Sequence, residues 1–434
     1  MASNMKSFNN AKEGFFSLNG RILKKRSFGN LIFLTLKNQD QEIQISLQKK
    51  VLGDKFKELS KNKVGDLIKV EGELYYTKTN TKTLSVSSGN VLTSCSTYLP
   101  DKFKGITKGF ARKNRGVDLL TSSESTAIFM RRNQIISQVR KFLFNNNYQE
   151  VDTGILQNVS NTSPSSDFVT FSNYFNKDLF LRKTPELRLK QLLVGGLENI
   201  FELGKNFRNE GVSKMYHPEY TILELYKNNV DYRDVLNLTI DILETLNEKI
   251  YKPISNPTKI VHVDLYDFID SEKNSDVRGM PISKLKKLID PEILKNYGSD
   301  EEAHRGFYIY DIFRSVLKNH SDENIVLHGV PKEISVLGKT YDDEPTLVEE
   351  FRYFVKGNLI CNGITELTDY DEQKRRIEKQ ARTLGKSLDV NDNQFLDLLK
   401  LGLPPCAGIG LGVEKLLMVY LEKEDVRDVI YYPL

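Results

Sequence analysis

Between residue 13 and about residue 100, short apolar runs alternate with turns. Phe15-Phe16-Ser17-Leu18-Asn19-Gly20-Arg21-Ile22-Leu23 comes first, and Leu31-Ile32-Phe33-Leu34-Thr35-Leu36 follows. Glu42-Ile43-Gln44-Ile45-Ser46-Leu47 then alternates polar and apolar positions, the period of a half-buried strand. A helical stretch is expected near Lys55 to Leu59. Two more strands are expected, Leu67-Ile68-Lys69-Val70-Glu71-Gly72-Glu73-Leu74 and Leu84-Ser85-Val86. Five strands with one intervening helix point to a small closed barrel, most economically an OB-fold.

The period changes further along. Ile128, Ile135, Val139 and Phe142 recur at helical spacing between about Ser125 and Asn146, and a strand is expected at Tyr148 to Thr153. Asn199-Ile200-Phe201-Glu202-Leu203 reads as a strand that runs into the polar loop Phe207-Arg208-Asn209-Glu210-Gly211. The chain returns through His217-Pro218-Glu219-Tyr220-Thr221 into a strand ending Glu224-Leu225-Tyr226. Strand alternation puts Glu224 and Tyr226 on one face, and likewise Asn362, Ile364 and Glu366. Thr184-Pro185-Glu186-Leu187 precedes a helix containing Leu189, Leu192 and Leu193.

Composition narrows the class. The chain has 434 residues, 39% hydrophobic and 28% charged, enough for two or three globular domains. No apolar run approaches the ~18 residues of a membrane span. Met1 to Lys12 lacks the apolar core of a secretory signal. The three cysteines stand far apart in no metal-ligand spacing, which suits a reducing cytoplasm, the expected location. A net charge of +4 permits nucleic-acid binding without demanding it.

The candidate chemistry lies in the polar loop and its flanks. Arg208 supplies a planar fork for an oxyanion or phosphate, His217 a second donor, and Tyr220 a ring on which a base could stack. The bland alternative is a charged surface hairpin. The run FRNEG, HPEYT and ELY resembles motif 2 of the class II aminoacyl-tRNA synthetases in its lysyl-tRNA synthetase form. The likeness extends from the barrel to Asp428-Val429-Ile430-Tyr431-Tyr432-Pro433. Leu99-Pro100-Asp101-Lys102-Phe103-Lys104-Gly105 resembles the family's inter-domain junction.

The resemblance implies an α+β fold: an N-terminal OB-fold β-barrel over residues 1–100, a linker over 101–123, and a class II synthetase catalytic domain over 124–434. That domain is expected to be an antiparallel sheet flanked by helices, with an insertion at roughly 250–340. It assigns Arg208, Glu210 and His217 to the reaction and to ATP, with Tyr220, Gly410, Gly412 and Lys415 also on the nucleotide. Arg208 would face the α-phosphate and His217 the γ-phosphate. Glu186, Glu224, Tyr226, Asn362 and Glu366 would hold lysine, whose two ammonium groups suit a set of carboxylates. Arg26, Phe33 and Gln44 match the positions that read the anticodon, although Phe33 could equally be barrel core. The implied partners are lysine, ATP and tRNA, with ATP and Mg²⁺ as cofactors. The helix and strand of motif 1 would form a homodimer, and no membrane is involved.

This chain departs from the family pattern in several places. Gly154 stands where the family has proline, and Val159 to Ser165 replaces a Gly-Gly-Ala loop. Lys415 replaces an arginine of motif 3. Arg352 and Leu359 occupy the positions of two Mg²⁺-binding glutamates. Glu350, two residues before Arg352, is a candidate replacement ligand, and Arg352 could instead neutralise phosphate itself. Two readings follow: a lysine–tRNA ligase, or a paralogue that binds lysine but has lost or altered adenylation and serves as an accessory protein or a ligase for another acceptor. The ligase reading stands ahead because the binding constellation is nearly complete.

Overall fold

Ile43, Ile45 and Leu47 alternate in register with Ile32, Leu34 and Leu36. In the computed structural model both sets face one apolar barrel core. The structure describes residues 5–38, 41–97, 99, 106–159, 166–249, 260–295, 297, 304–383 and 390–434. Most of the junction and of the segment at the Gly-Gly-Ala position lie outside them. Two compact units are present. One comprises residues 1–130 with 431–433, and the other comprises 131–430 with residue 434.

In the first unit, β1 (Phe15–Phe28), β2 (Leu31–Asn38), β3 (Gln41–Gln48), β4 (Leu67–Tyr76) and β5 (Lys82–Thr93) close in the order β1-β2-β3-β5-β4. Closure removes both sheet edges. The short helix Lys55–Leu59 lies between β3 and β4, as the sequence predicts.

The second unit is built on β6 (Gln149–Glu150), β10 (Asn199–Phe207), β11 (Glu219–Asn228), β12 (Ile260–Asp264), β13 (Asn324–Pro331), β14 (Leu347–Val355), β15 (Asn358–Thr365) and β16 (Cys406–Gly412). Their order is β12-β13-β14-β15-β16-β11-β10-β6. A separate three-stranded sheet holds β7 (Leu156–Gln157), β8 (Val169–Ser172) and β9 (Lys177–Leu181).

The main sheet is mixed rather than wholly antiparallel. The six strands from β13 to β10 run antiparallel to their neighbours, while β6 on β10 and β12 on β13 are parallel. Of the strand expected at 148–153, only Gln149–Glu150 pairs in regular fashion. Gly154 follows four residues beyond this pair. Its φ of 78° lies in the left-handed region, which glycine tolerates and proline cannot adopt.

Helices cover both faces. Tyr232–Lys249 packs behind β14, β15 and β16, where Thr239 meets Cys361 and Leu243 accepts a hydrogen bond from Tyr420. Burial pushes the Cys361 thiol up to about 12, so it is a packed, unreactive group. On the opposite face, Leu189 and Leu193 of the helix Glu186–Val194 pack with Ile200, Tyr226 and Phe395. The segment around Leu265–Lys273 and Arg305–Leu317 forms its own apolar cluster against β13 and β14. Among the described residues, no helix is long and apolar enough to cross a membrane.

Candidate active site

Strand register assembles the site. Glu202, Glu224, Gly410, Asn362 and Arg352 stand side by side across β10, β11, β16, β15 and β14. The next row on the same face is Ile200, Tyr226, Gly408, Ile364 and Glu350. Residues as far apart in sequence as Glu224 and Gly410 thus become neighbours. Gly408 must lack a side chain, because a Cβ there would run into the Tyr226 ring. At Gly410 an added Cβ would meet nothing closer than 3.6 Å, so the middle of the first row is open floor between Glu224 and Asn362.

Around this floor the structure brings Glu186, Glu224, Tyr226 and Glu366 together. Glu224 and Glu366 are buried, and Glu224 accepts a 2.6 Å hydrogen bond from Thr184 Oγ1. Sequence reading missed a central member, Lys190. Its fully buried Nζ lies 2.7 Å from Glu186 Oε1 and 2.6 Å from Glu366 Oε2, with the Phe395 ring centroid at 5.0 Å. The available signal was the Glu186-to-Lys190 spacing, which puts a carboxylate one helical turn ahead of an ammonium. Three carboxylates against one ammonium leave the cluster short of two positive charges when all are ionised. Those are the charges a diamino acid carries.

The cluster's ionisation makes a pH test. Burial, reinforced by Glu186, pushes Glu224 up to about 8. Burial also pushes Glu366 up to about 7, with Lys190 pulling the other way. Despite burial, Glu186 and Glu366 together raise Lys190 above its ordinary value and keep it charged. Both glutamates lie above their ordinary 4.5, so the folded protein keeps protons the unfolded chain has lost. The empty site therefore loses stability as pH rises from about 5 to 8. A bound ammonium favours the ionised carboxylate and expels those protons. Lysine affinity should accordingly climb from about pH 6 to pH 8, by up to about tenfold per pH unit for each proton released. Calorimetry in buffers of different ionisation enthalpy reads that release directly, and binding without proton release would contradict the assignment.

Beside the cluster lies a cavity of about 220 Å³ lined by Arg208, Glu210, His217, Tyr220, Asn362, Gly410, Gly412 and Lys415. Six of these come from the loop between β10 and β11 or from β16 and the helix Val413–Tyr420 that follows it. The Arg208 guanidinium lies over the Tyr220 ring, 5.4 Å from its centroid, and the Tyr220 hydroxyl donates to Lys183 O at 2.7 Å. Glu414 anchors the start of β11 by accepting from Thr221 N and Thr221 Oγ1, each at 2.7 Å. His217 is placed differently from expectation. Its Nδ1 is 2.6 Å from Glu219 O, and its Nε2 accepts from Leu434 N at 3.0 Å. The tautomer protonated on Nδ1 satisfies both contacts, which leaves no ring N–H for a terminal phosphate.

The residues present do not fit a bound Mg²⁺. The ion needs oxygen ligands in near-octahedral geometry. Glu350 is buried and held by Arg352, whose Nε lies 2.6 Å from Oε1. Arg352 also stacks on Tyr310, 4.6 Å from the ring centroid, and neither it nor Glu350 is among the residues lining the cavity. Leu359 packs against the apolar cluster of the neighbouring segment. Among the described residues, no group of three metal-ligating side chains occurs. Glu350, the expected metal ligand, is thus paired to Arg352 through one oxygen and is not among the residues that line the cavity.

The barrel carries a second candidate surface. Ile32, Leu34 and Leu36 fill its core, so half-buried Phe33 points outward. Arg26 is its cross-strand partner and donates to Gln44 Oε1 at 3.0 Å, while Gln44 donates to Thr83 at 2.9 Å. Exposed Phe28 meets Phe33 edge to face at 6.3 Å.

Comparison with known proteins finds a family match for each part of the chain. Residues 107–434 match the family model described as tRNA synthetases class II (D, K and N), and residues 16–92 match that of the OB-fold nucleic acid binding domain. The chain is 33% identical to a lysine–tRNA ligase of Haemophilus influenzae (strain PittEE), covering 95% of this chain and 86% of the relative. It is 34% identical to that of Baumannia cicadellinicola, covering 96% and 85%. It is 33% identical to lysine–tRNA ligase 2 of Methanosarcina mazei, covering 95% and 84%. The chain belongs to the class II tRNA synthetase family of the D, K and N type.

Proposed function

We propose that the protein is a lysine–tRNA ligase: it activates lysine with ATP and passes the lysyl group to tRNA. The observation that carries this reading is the carboxylate cluster of Glu186, Glu224 and Glu366 around the open floor at Gly410, next to the cavity of Arg208 and Lys415. Lysine's ammonium groups would meet the carboxylates, and its carboxylate would lie toward Arg208. Attack of that carboxylate on the α-phosphate forms the lysyl–phosphate bond and releases pyrophosphate. A tRNA ribose hydroxyl then displaces AMP. No side chain is required as a nucleophile. The protein contributes position and charge, with Arg208 balancing negative charge that builds on the α-phosphate. Lysine-dependent exchange of labelled pyrophosphate into ATP tests the reading. Exchange with lysine but not with aspartate or asparagine is expected, and a silent protein that still binds lysine would overturn it.

The outer face of the barrel would take the tRNA, with Phe33 as a stacking platform and Arg26 and Gln44 beside it. A stacked base is worth about 1–3 kcal/mol, so Phe33→Ala should weaken tRNA binding roughly tenfold or more. Lysine-dependent exchange should stay unchanged in that variant. Equal tRNA affinity in the variant would remove Phe33 from the interface. A homodimer formed next to β6 belongs to the same reading, since this strand is the sheet edge and both its residues are exposed. The three free cysteines suit a cytoplasmic setting.

A further inference from the structure

The cavity wall carries more positive than free negative charge. Arg208 and Lys415 both line it, one over Tyr220 and the other over Tyr216 at 5.1 Å, and neither has a carboxylate partner among the described residues. Two carboxylates line the same cavity. Glu414 is committed to Thr221 through both oxygens, which leaves only Glu210, an exposed residue. A phosphate-bound Mg²⁺, which takes one or two protein carboxylates besides the phosphates, would find here at most one uncommitted carboxylate, exposed and flanked by two cations. The nearby groups do not change this balance: Glu350, paired to Arg352 through Oε1, does not line the cavity, and Leu359, which does, is apolar.

We infer that this pocket holds the nucleotide's phosphates directly on Arg208 and Lys415, with no divalent cation bound by the protein. Nucleotide binding therefore does not require Mg²⁺. The inference rests on the nucleotide reading given above. Charge matching gives it a direction: free ATP carries more negative charge than its Mg²⁺ complex, and two unpaired cations favour the more highly charged form. The state of Lys415 is consistent with an anion site. Burial, followed by the proximity of Arg208, lowers its pKa, and a bound phosphate would relieve that repulsion.

Calorimetric titration of the full chain with ATP, in EDTA and in excess Mg²⁺, tests this, with AMP titrated in parallel. The expected result is an ATP affinity in EDTA equal to or greater than that in Mg²⁺. Tightening by Mg²⁺ of about tenfold or more would overturn the inference while leaving the nucleotide reading intact. Absence of binding by both ATP and AMP in either condition would overturn the nucleotide reading itself. Lys415→Met, checked for an unchanged unfolding midpoint, should weaken ATP in EDTA by about tenfold or more. Unaltered affinity in that variant would also overturn the inference.

Discussion

Arg182→Met should destabilise the second unit by about 3–5 kcal/mol, the range for removing one partner of a buried ion pair. Arg182 and Glu202 are almost wholly buried and pair through Nη1 and Oε1. Arg182 also donates to Lys205 O at 3.0 Å, Thr153 Oγ1 at 3.1 Å and Gly154 O at 3.3 Å. Thr153 in turn donates to Glu202 Oε2 at 2.7 Å. The network ties the turn at Gly154 to β10, one strand from Glu224. Without the guanidinium, Glu202 would remain as an uncompensated buried carboxylate. Denaturant unfolding measures the loss. Adding Glu202→Leu to the variant should recover most of it, because the stranded charge is then gone. A loss below about 1 kcal/mol would mean that water or a rearranged partner satisfies Glu202.

Arg208→Ala should have the opposite profile, a large loss of activity with little loss of stability. Arg208 is exposed and is held mainly by its contact with Tyr220. Removing a preorganised group that balances developing charge typically costs about 10²–10³ in rate. Lysine-dependent pyrophosphate exchange should fall by that factor while the unfolding midpoint stays within experimental scatter. Lysine affinity without ATP should change far less, because the ammonium groups are read by Glu186, Glu224 and Glu366. If exchange fell less than about tenfold, Arg208 would not be the group facing the α-phosphate.

The two variants separate a group that holds the site from a group that acts in it. Lys190 stands between these extremes. It is buried like Arg182, yet it touches two of the three glutamates assigned to the substrate, Glu186 and Glu366. Its presence explains how three carboxylates can share one pocket: its ammonium offsets part of their mutual repulsion, and the elevated values at Glu224 and Glu366 show what burial leaves over.

Much of this protein was legible from the chain. The alternation around Ile43, Ile45 and Leu47 gave the barrel, because a two-residue period has only one face to bury. The FRNEG and HPEYT segments gave the hairpin of β10 and β11, and local alternation put Glu224 with Tyr226 and Asn362 with Glu366. Such features depend on residues a few positions apart. What the tertiary structure alone decided involves partners far apart in sequence. Lys190 lies one turn from Glu186 but 176 positions from Glu366, and only packing of the helix on the sheet brings all three together. His217 reads as a free donor until Leu434 is found on its second nitrogen. Glu350 reads as a free oxygen ligand until strand geometry folds Arg352 back onto it and Tyr310 stacks from a distant helix. Local pattern specifies which side chains share a face, whereas the availability of a polar group depends on which partner the fold delivers to it.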